Sequence, residues 1–302
     1  MNATGRTLVA ASLTSRRGWS RVFPLLRERL GSRSLIVVLS LLVALGLVSV
    51  TAALWTPYSP VEESGQALVG PTWGHPFGTD EYGRDILMRV IFGMRLSLLV
   101  AVSSAVVAGI VGTLLGLYAG FLRGWRDSLL MRIVDFMLAF PTLVIAMSIV
   151  AILGPSTETP TLAAIVVSIP LFARVARAST LSEREKEYVL AARALGAPPS
   201  RIMFRTILPA ILPVVRVQAA IVAALAVQLE ASLSFLGMGV RPPTPSLGAM
   251  LQTARGFVYT APTYGVFPGV FLVLITMALL VVANTLGRQS QVRLDATGVE
   301  GE

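Results

Sequence analysis

The strongest constraint on this chain is the length of its charge-free runs. Residues 34–61, Leu96–Leu122 and Gly256–Gly287 contain no Asp, Glu, Lys or Arg. An apolar helix of ~20 residues is ~30 Å long, the thickness of a bilayer's hydrocarbon core. A soluble core has no need of unbroken runs of that length. Composition agrees, with 54% hydrophobic and 14% charged residues, against about 45–50% and about 25% in soluble domains. An ordinary soluble enzyme and a disordered chain are both excluded. The sequence reads as an all-α integral membrane protein.

Six spans are expected. The first, Leu35–Trp55, is too long for a signal-peptide core and is followed by no A-x-A site, so it is expected to be retained. The second covers residues 96–118 and carries Gly109, Gly112, Gly116 and Gly120 at helical spacing, a face suited to close helix–helix approach in lipid. The third covers 129–153 and contains Arg132 and Asp135 near its start. The fourth covers 162–178, with Arg174 and Arg177 reaching toward the interface and Pro170 expected to kink it. The fifth, 214–236, contains Glu230. The sixth, 264–286, has Pro268 near its beginning, where proline is tolerated. This divides the chain into a basic tail 1–34, a transmembrane body 35–287 with a connecting loop 179–213, and a tail 288–302.

Arginine placement sets the expected orientation. Twenty of the 25 Lys and Arg residues fall in the N-terminal tail, the 2–3 connection, the 4–5 segment and the C-terminal tail. By the positive-inside rule these segments, both termini included, face the cytoplasm. The net charge of +9 is then mainly topogenic, and a nucleic-acid role loses its support. There is no cysteine, one histidine (His75) and one lysine (Lys186). Disulfides, thiolate or His-based metal sites and a G-x-x-x-x-G-K-[ST] phosphate loop are therefore excluded. His75, among Gly, Pro and Trp, reads as a loop residue. If ATP is used, another chain binds it.

The 4–5 segment is the most informative. Ser182 and Glu185 have the spacing of a capping box, and Gly196 followed by Pro198 is a helix stop. A helix over 183–195 is expected, with Val189, Ala192, Arg193 and Gly196 on one stripe and Ala191, Ala192 and Ala194 keeping it thin. Ser200 is placed to cap a second short helix before Pro209 and Pro213. Two readings of the thin helix stand on physical grounds: docking into a groove of a partner, or lying on the membrane surface.

The run Glu187-Tyr-Val-Leu-Ala191-Ala192-Arg193-Ala-Leu-Gly196, followed by Ile-Leu208-Pro209, resembles the "EAA" coupling loop of ABC-importer permeases, with Leu190 where an acid often stands and Thr206 before Ile-Leu-Pro. His75-Pro-Phe-Gly78-Thr79-Asp80-Glu-Tyr-Gly83-Arg84-Asp85, continuing to Gly93-Met-Arg95-Leu-Ser-Leu, resembles the corresponding segment of the second permease subunit in the dipeptide/oligopeptide/nickel branch. So do Pro170-Leu-Phe172-Ala-Arg174-Val-Ala-Arg177 and Ser234-Phe-Leu-Gly237-Met-Gly239-Val-Arg-Pro242-Pro243-Thr-Pro245-Ser246-Leu247-Gly248. The tail after Gly287 departs from the branch's frequent ending. The resemblance covers about residues 30–290.

The resemblance implies the type I importer permease fold, a non-catalytic subunit, and a prokaryotic cell membrane. It implies a homologous second permease, two ABC ATPase subunits that hold ATP and Mg, and an extracytoplasmic substrate-binding protein. The chain itself would bind no cofactor or metal. Glu187, Ala191, Ala192, Arg193, Gly196, Leu208 and Pro209 would form the ATPase-coupling element. Di- or oligopeptides are the implied substrates, with nickel or another small ligand as the alternative.

The outer-loop residues Gly78, Thr79, Asp80, Gly83, Arg84, Asp85, Pro242 and Pro243 either form a platform for the binding protein or close off the bundle, and Arg84 can pair with Asp80 or Asp85. Ionisable residues inside spans usually face protein or water. Asp135, Glu230, Arg174 and Arg177 are the candidates for pathway or partner contacts, with an Arg132–Asp135 pair as the structural alternative for Asp135. Outside this class, the intramembrane acids would permit a proton-coupled secondary transporter, and a membrane scaffold without transport is also open.

Overall fold

The first apolar run forms helix α1, Leu35–Leu54. Its residues are mostly exposed, and it lies against the outside of the bundle through Leu35, Val38 and Leu42. This computed structural model describes residues 35–298 apart from Trp55, Pro57 and Pro155, with side chains as far as Gln289. The expectations for the tail 1–34 and for Trp55 lie outside the described residues.

Helix α2, Ile86–Leu122, starts ten residues before the expected span. Asp85 caps it, its Oδ1 accepting from the Met88 amide at 2.8 Å. Arg89 is buried by partners in the outer loops, so a charge in the first turn does not delay the helix. A widened π turn, Ser104–Ala108, interrupts the regular hydrogen bonding midway.

The segment expected as the third span, 129–153, forms two helices, α3, Trp125–Ala139, and α4, Thr142–Leu153, bent by 92° to one another. The cause is Pro141, which pushes the preceding residue into extended geometry: Phe140 has φ −93 and ψ 146. Helix α5, Thr159–Glu183, runs through Pro170 without interruption. Helix α6 is Glu187–Ala194. Helix α7, Pro199–Phe235, contains a second π turn at Ile202–Ile207. A short α8, Leu247–Ala254, continues into a 3-10 turn, Arg255–Phe257. Helix α9, Pro262–Gly298, extends past the expected end of the sixth span into the C-terminal tail. Among the described residues five helices are long and apolar enough to cross a membrane, and the bent pair makes a sixth if it counts as one span. The only strand-like pairing among the described residues is a bridge between Thr79 and Asp85.

The main core joins α2, α7, α8 and α9 through Ile86, Val90, Met94, Val227, Leu247, Met250, Tyr264 and Ile275. The closest pairing of long helices is α2 with α5, and the glycine stripe makes it. A Cβ added at Gly112 would meet the Ile169 carbonyl oxygen, one at Gly116 that of Ala173, and one at Gly120 that of Arg177. Successive turns of α5 thus lie on successive glycines of α2. Gly116→Leu is expected to part the two backbones and destabilise the bundle by about 1–3 kcal/mol or more. Gly70→Leu, where no atom lies within 4 Å of an added Cβ, is the control. Thermal unfolding in detergent checks this. Equal melting of the two variants would contradict the packing role of the stripe.

Candidate functional site: helix α6 and its supports

Helix α6 does not begin with the expected capping box. No breaker stands between Ala178 and Ser182, so α5 continues through Ser182 to Glu183. The chain then turns at Arg184–Lys186, and α6 starts after Lys186, which is extended (φ −71, ψ 147) and caps with no side chain. The helix has 8 residues where about 13 were expected. Ser200 likewise lies within the next helical turn, Pro199–Arg201, whose cap position is Pro198.

The stop signal at Gly196 is realised in full. Gly196 has φ +76, its amide donates to the Arg193 carbonyl at 3.0 Å, and the Ala197 amide donates to Ala192 at 3.1 Å. These are the two bonds of a Schellman motif, which satisfies carbonyls left open at a helix end. No atom lies near an added Cβ at Gly196, so the need for glycine there is purely conformational. Gly196→Ala should destabilise the end of α6 by about 1 kcal/mol. Gly196→Asn should retain more of the cap than Gly196→Val, because Asn tolerates positive φ. Rates of limited proteolysis at residues 187–197 give that order.

The expected stripe splits on folding. Val189 is fully buried, and Ala192 packs with it against Leu117, Phe121, Ala176, Ile202, Ile207 and Ile211; Leu208 also packs there. Pro209 follows in α7. This face of α6 is therefore occupied by its own chain. The opposite face presents Tyr188, Leu190 and Leu195 at 44%, 46% and 87% exposure, with Glu187, Ala191 and Arg193 also exposed.

The turn before α6 is bolted to the bundle by contacts that the sequence reading did not anticipate. Arg184 Nη1 donates to the carbonyls of Phe121 at 2.7 Å and Gly120 at 3.2 Å, closing the end of α2. Arg123 pairs with Glu185 at 2.8 Å. Glu183 accepts from Lys186 Nζ at 2.7 Å and from Tyr188 Oη at 2.6 Å. Burial and the bond to Glu183 push the Tyr188 phenol up to about 12, so it remains a neutral donor at physiological pH. These contacts tie the start of α6 to the ends of both α2 and α5.

Two acid–arginine clasps join α3 to α5. Arg177 donates to both carboxylate oxygens of Asp127, at 2.6 and 2.7 Å. Arg174 reaches Asp135 at 3.3 Å, both being exposed. The partner of Asp135 is therefore Arg174, from another helix, and not Arg132. Glu230 faces no surface at all. It is fully buried in the chain, its carboxylate accepting from Ser234 Oγ at 2.8 Å and Ser97 Oγ at 3.2 Å. In this conformation Glu230 ties α2 to α7.

The outer-loop motif builds a cap over the opposite end of the bundle. Gly78 and Gly83 sit at positive φ. Thr79 Oγ1 donates to the Gln66 carbonyl at 2.6 Å and accepts from the Val69 amide at 2.9 Å. Asp80 pairs with Arg84, as expected, at 2.6 Å, and also with Arg89 at 3.3 Å. Arg89 Nη1 donates to the carbonyls of Pro60 and Pro243, at 2.9 and 3.4 Å, bringing the two outer loops together. Asp85 binds His75 Nδ1 at 2.8 Å. His75 is thus tied to the helix start. Pro242 lies in the same outer connection and is exposed.

Comparison with known proteins gives consistent results. Residues 112–295 match the family described as "binding-protein-dependent transport system inner membrane component". A dipeptide transport system permease protein of Alkalihalophilus pseudofirmus is 39% identical over 270 residues, covering 89% of this chain and 88% of the relative. A di/tripeptide transport system permease protein of Pseudomonas aeruginosa is 41% identical over 237 residues, 76% of this chain and 78% of the relative. A glutathione transport system permease protein of Pectobacterium atrosepticum is 39% identical over 218 residues, 72% and 71% of the two chains. Among solved structures, an inward-facing form of the MetNI methionine ABC transporter superposes with a TM-score of 0.58 at 19% identity, covering 68% of this chain and 97% of the other. That likeness shows the fold, a type I importer permease.

Proposed function

Since the chain belongs to the family of binding-protein-dependent transport system inner membrane components, we propose that it is the permease subunit of an ATP-driven importer of di- or oligopeptides. It is a multi-pass membrane protein. It pairs with a homologous second permease to enclose the path, two ABC ATPases bind from the cytoplasm, and an extracytoplasmic protein delivers the substrate. ATP and Mg stay on the ATPases, and the permease contributes no catalytic group. The α6 end and both termini face the cytoplasm.

The observation that carries this reading is α6 itself. It is a capped helix anchored by Val189 on one side, braced by Arg184 and Arg123, with Tyr188, Leu190 and Leu195 left exposed on the other side. Apolar groups on a braced helix outside the apolar spans fit a groove on a partner. When ATP draws the ATPases together, α6 moves with them, and its supports pass the motion to α2 and α5. The choice of peptides rests on the names of the relatives.

Purification in mild detergent tests the reading. A second permease and ATPases should accompany the chain, and vesicles containing the complete set should take up dipeptide only with ATP. A chain that purifies alone and moves solute under a pH gradient would instead be a secondary transporter. A chain that recovers other partners and moves nothing would be a scaffold.

A further inference from the structure

The outer half of α7 carries an exposed stripe of Leu225, Gln228, Ser232 and Phe235, spaced by three and four residues. The Ser232 hydroxyl donates within its own helix to the Gln228 carbonyl at 2.7 Å, whereas a face turned to lipid gains nothing from the Gln228 side-chain amide; polar groups within spans mark protein contacts or water-filled paths. The stripe opens into a groove of about 520 Å³, completed by Leu251 of α8 and Leu272 of α9. A second groove of about 290 Å³ shares Phe235 and Leu251 with the first and ends at Arg255. The Arg255 guanidinium carbon stands 6.0 Å from the centre of the Phe235 ring. Arg255 is exposed and forms no ion pair among the described residues.

Apolar walls, one amide, one hydroxyl and one uncompensated cation make a defined chemistry. We propose that this double groove is the chain's wall of the translocation path, and that Arg255 receives a carboxylate of the passing substrate. The inference rests on the permease reading and deepens it by assigning the place where the anionic end of a short substrate is received. Phe235 and Leu251 offer contact to side chains, Gln228 and Ser232 to backbone amides, and Arg255 to the terminal carboxylate. A guanidinium suits that last task because its N–H groups match both carboxylate oxygens.

The chain contains no cysteine, so a single thiol can report on the groove. The experiment uses Ser232→Cys in the complete transporter, after co-purification of the ATPases has been verified; their absence would count against the permease reading and not against this one. Water-soluble thiosulfonates carrying a sulfonate or a trimethylammonium group are compared, each normalised to its rate with a free thiol. Both reagents should label the introduced thiol, the sulfonate faster by roughly threefold to tenfold, and adding Arg255→Gln should bring the ratio close to unity. During turnover with binding protein and ATP, a dipeptide with a free carboxylate should slow sulfonate labelling roughly twofold or more when Arg255 is present, and should not slow it in the Arg255→Gln background. No labelling by either reagent would mean a face filled by lipid or by dry protein, and would overturn the proposal. An unchanged charge preference in Arg255→Gln, or equal slowing by the dipeptide in both backgrounds, would overturn the role of Arg255.

Discussion

Asp80→Ala is expected to be the most damaging substitution at the outer end of the bundle. Asp80 is fully buried, while Arg84 and Arg89 are 8% and 6% exposed. One carboxylate oxygen faces both guanidinium groups, at 2.6 Å from Arg84 Nε and 3.3 Å from Arg89 Nε. The other accepts the backbone amides of Tyr82 and Arg84, each at 2.9 Å. Removing one partner of a buried pair costs about 3–5 kcal/mol, because the remaining charge stays buried without compensation. Here two arginines and two amides lose a shared acceptor together, with Arg84 keeping only Glu81, at 3.2 Å, as a charged partner and Arg89 keeping only the Pro60 and Pro243 carbonyls. Asp80→Asn should fall between Ala and wild type, since an amide oxygen still accepts from the backbone but brings no charge. Glu62→Ala, at an exposed position, should behave as wild type. The fraction of monodisperse protein left after heating in detergent reads out the series. If Asp80→Ala melts with wild type, the cap is not held by this cluster.

The cap shows what the sequence could and could not reveal. The Arg84–Asp80 pair was legible because the two residues are four apart in a turn punctuated by Gly78 and Gly83. The second arginine was not, since Arg89 lies a helical turn into α2 and reaches Pro60 and Pro243, residues remote in sequence. The same distinction holds across the molecule. Charge-free runs reveal spans because the bilayer imposes their length locally. The glycine stripe reveals a close contact because the four-residue period is local, although its partner α5 is not.

Contacts between helices depend on a register that no single segment records. Ser97 reaches Glu230 from another helix, 133 residues away, and Arg174 claims Asp135 across 39 residues. Two local signals were present but passed over. Pro141 bends the third apolar segment through its effect on Phe140, a bend that the apolar run on both sides concealed. Ser182 and Glu185 have a capping-box spacing, but a helix already under way has no reason to stop at a serine.

Leu195→Glu is expected to separate coupling from folding. Leu195 is 87% exposed at the end of α6, so the permease should fold and reach the membrane at normal abundance. In an apolar groove on an ATPase, the substitution removes a leucine contact of about 1.5–3 kcal/mol and adds the cost of placing a carboxylate among apolar groups, several kcal/mol unless it finds a partner. The two effects together should weaken ATPase capture by roughly two to four orders of magnitude and abolish uptake. Val189→Glu provides the contrast. Val189 is fully buried against the ends of α2, α5 and α7, so that variant should lose abundance and melting temperature along with uptake. Quantitative co-purification of the ATPases, read beside permease abundance, distinguishes the two. Loss of ATPases at normal abundance in Leu195→Glu assigns the exposed face of α6 to the partner and its buried face to the bundle. Unchanged ATPase recovery in Leu195→Glu would move the docking surface elsewhere on the cytoplasmic side, and α6 would be reduced to a brace between α5 and α7.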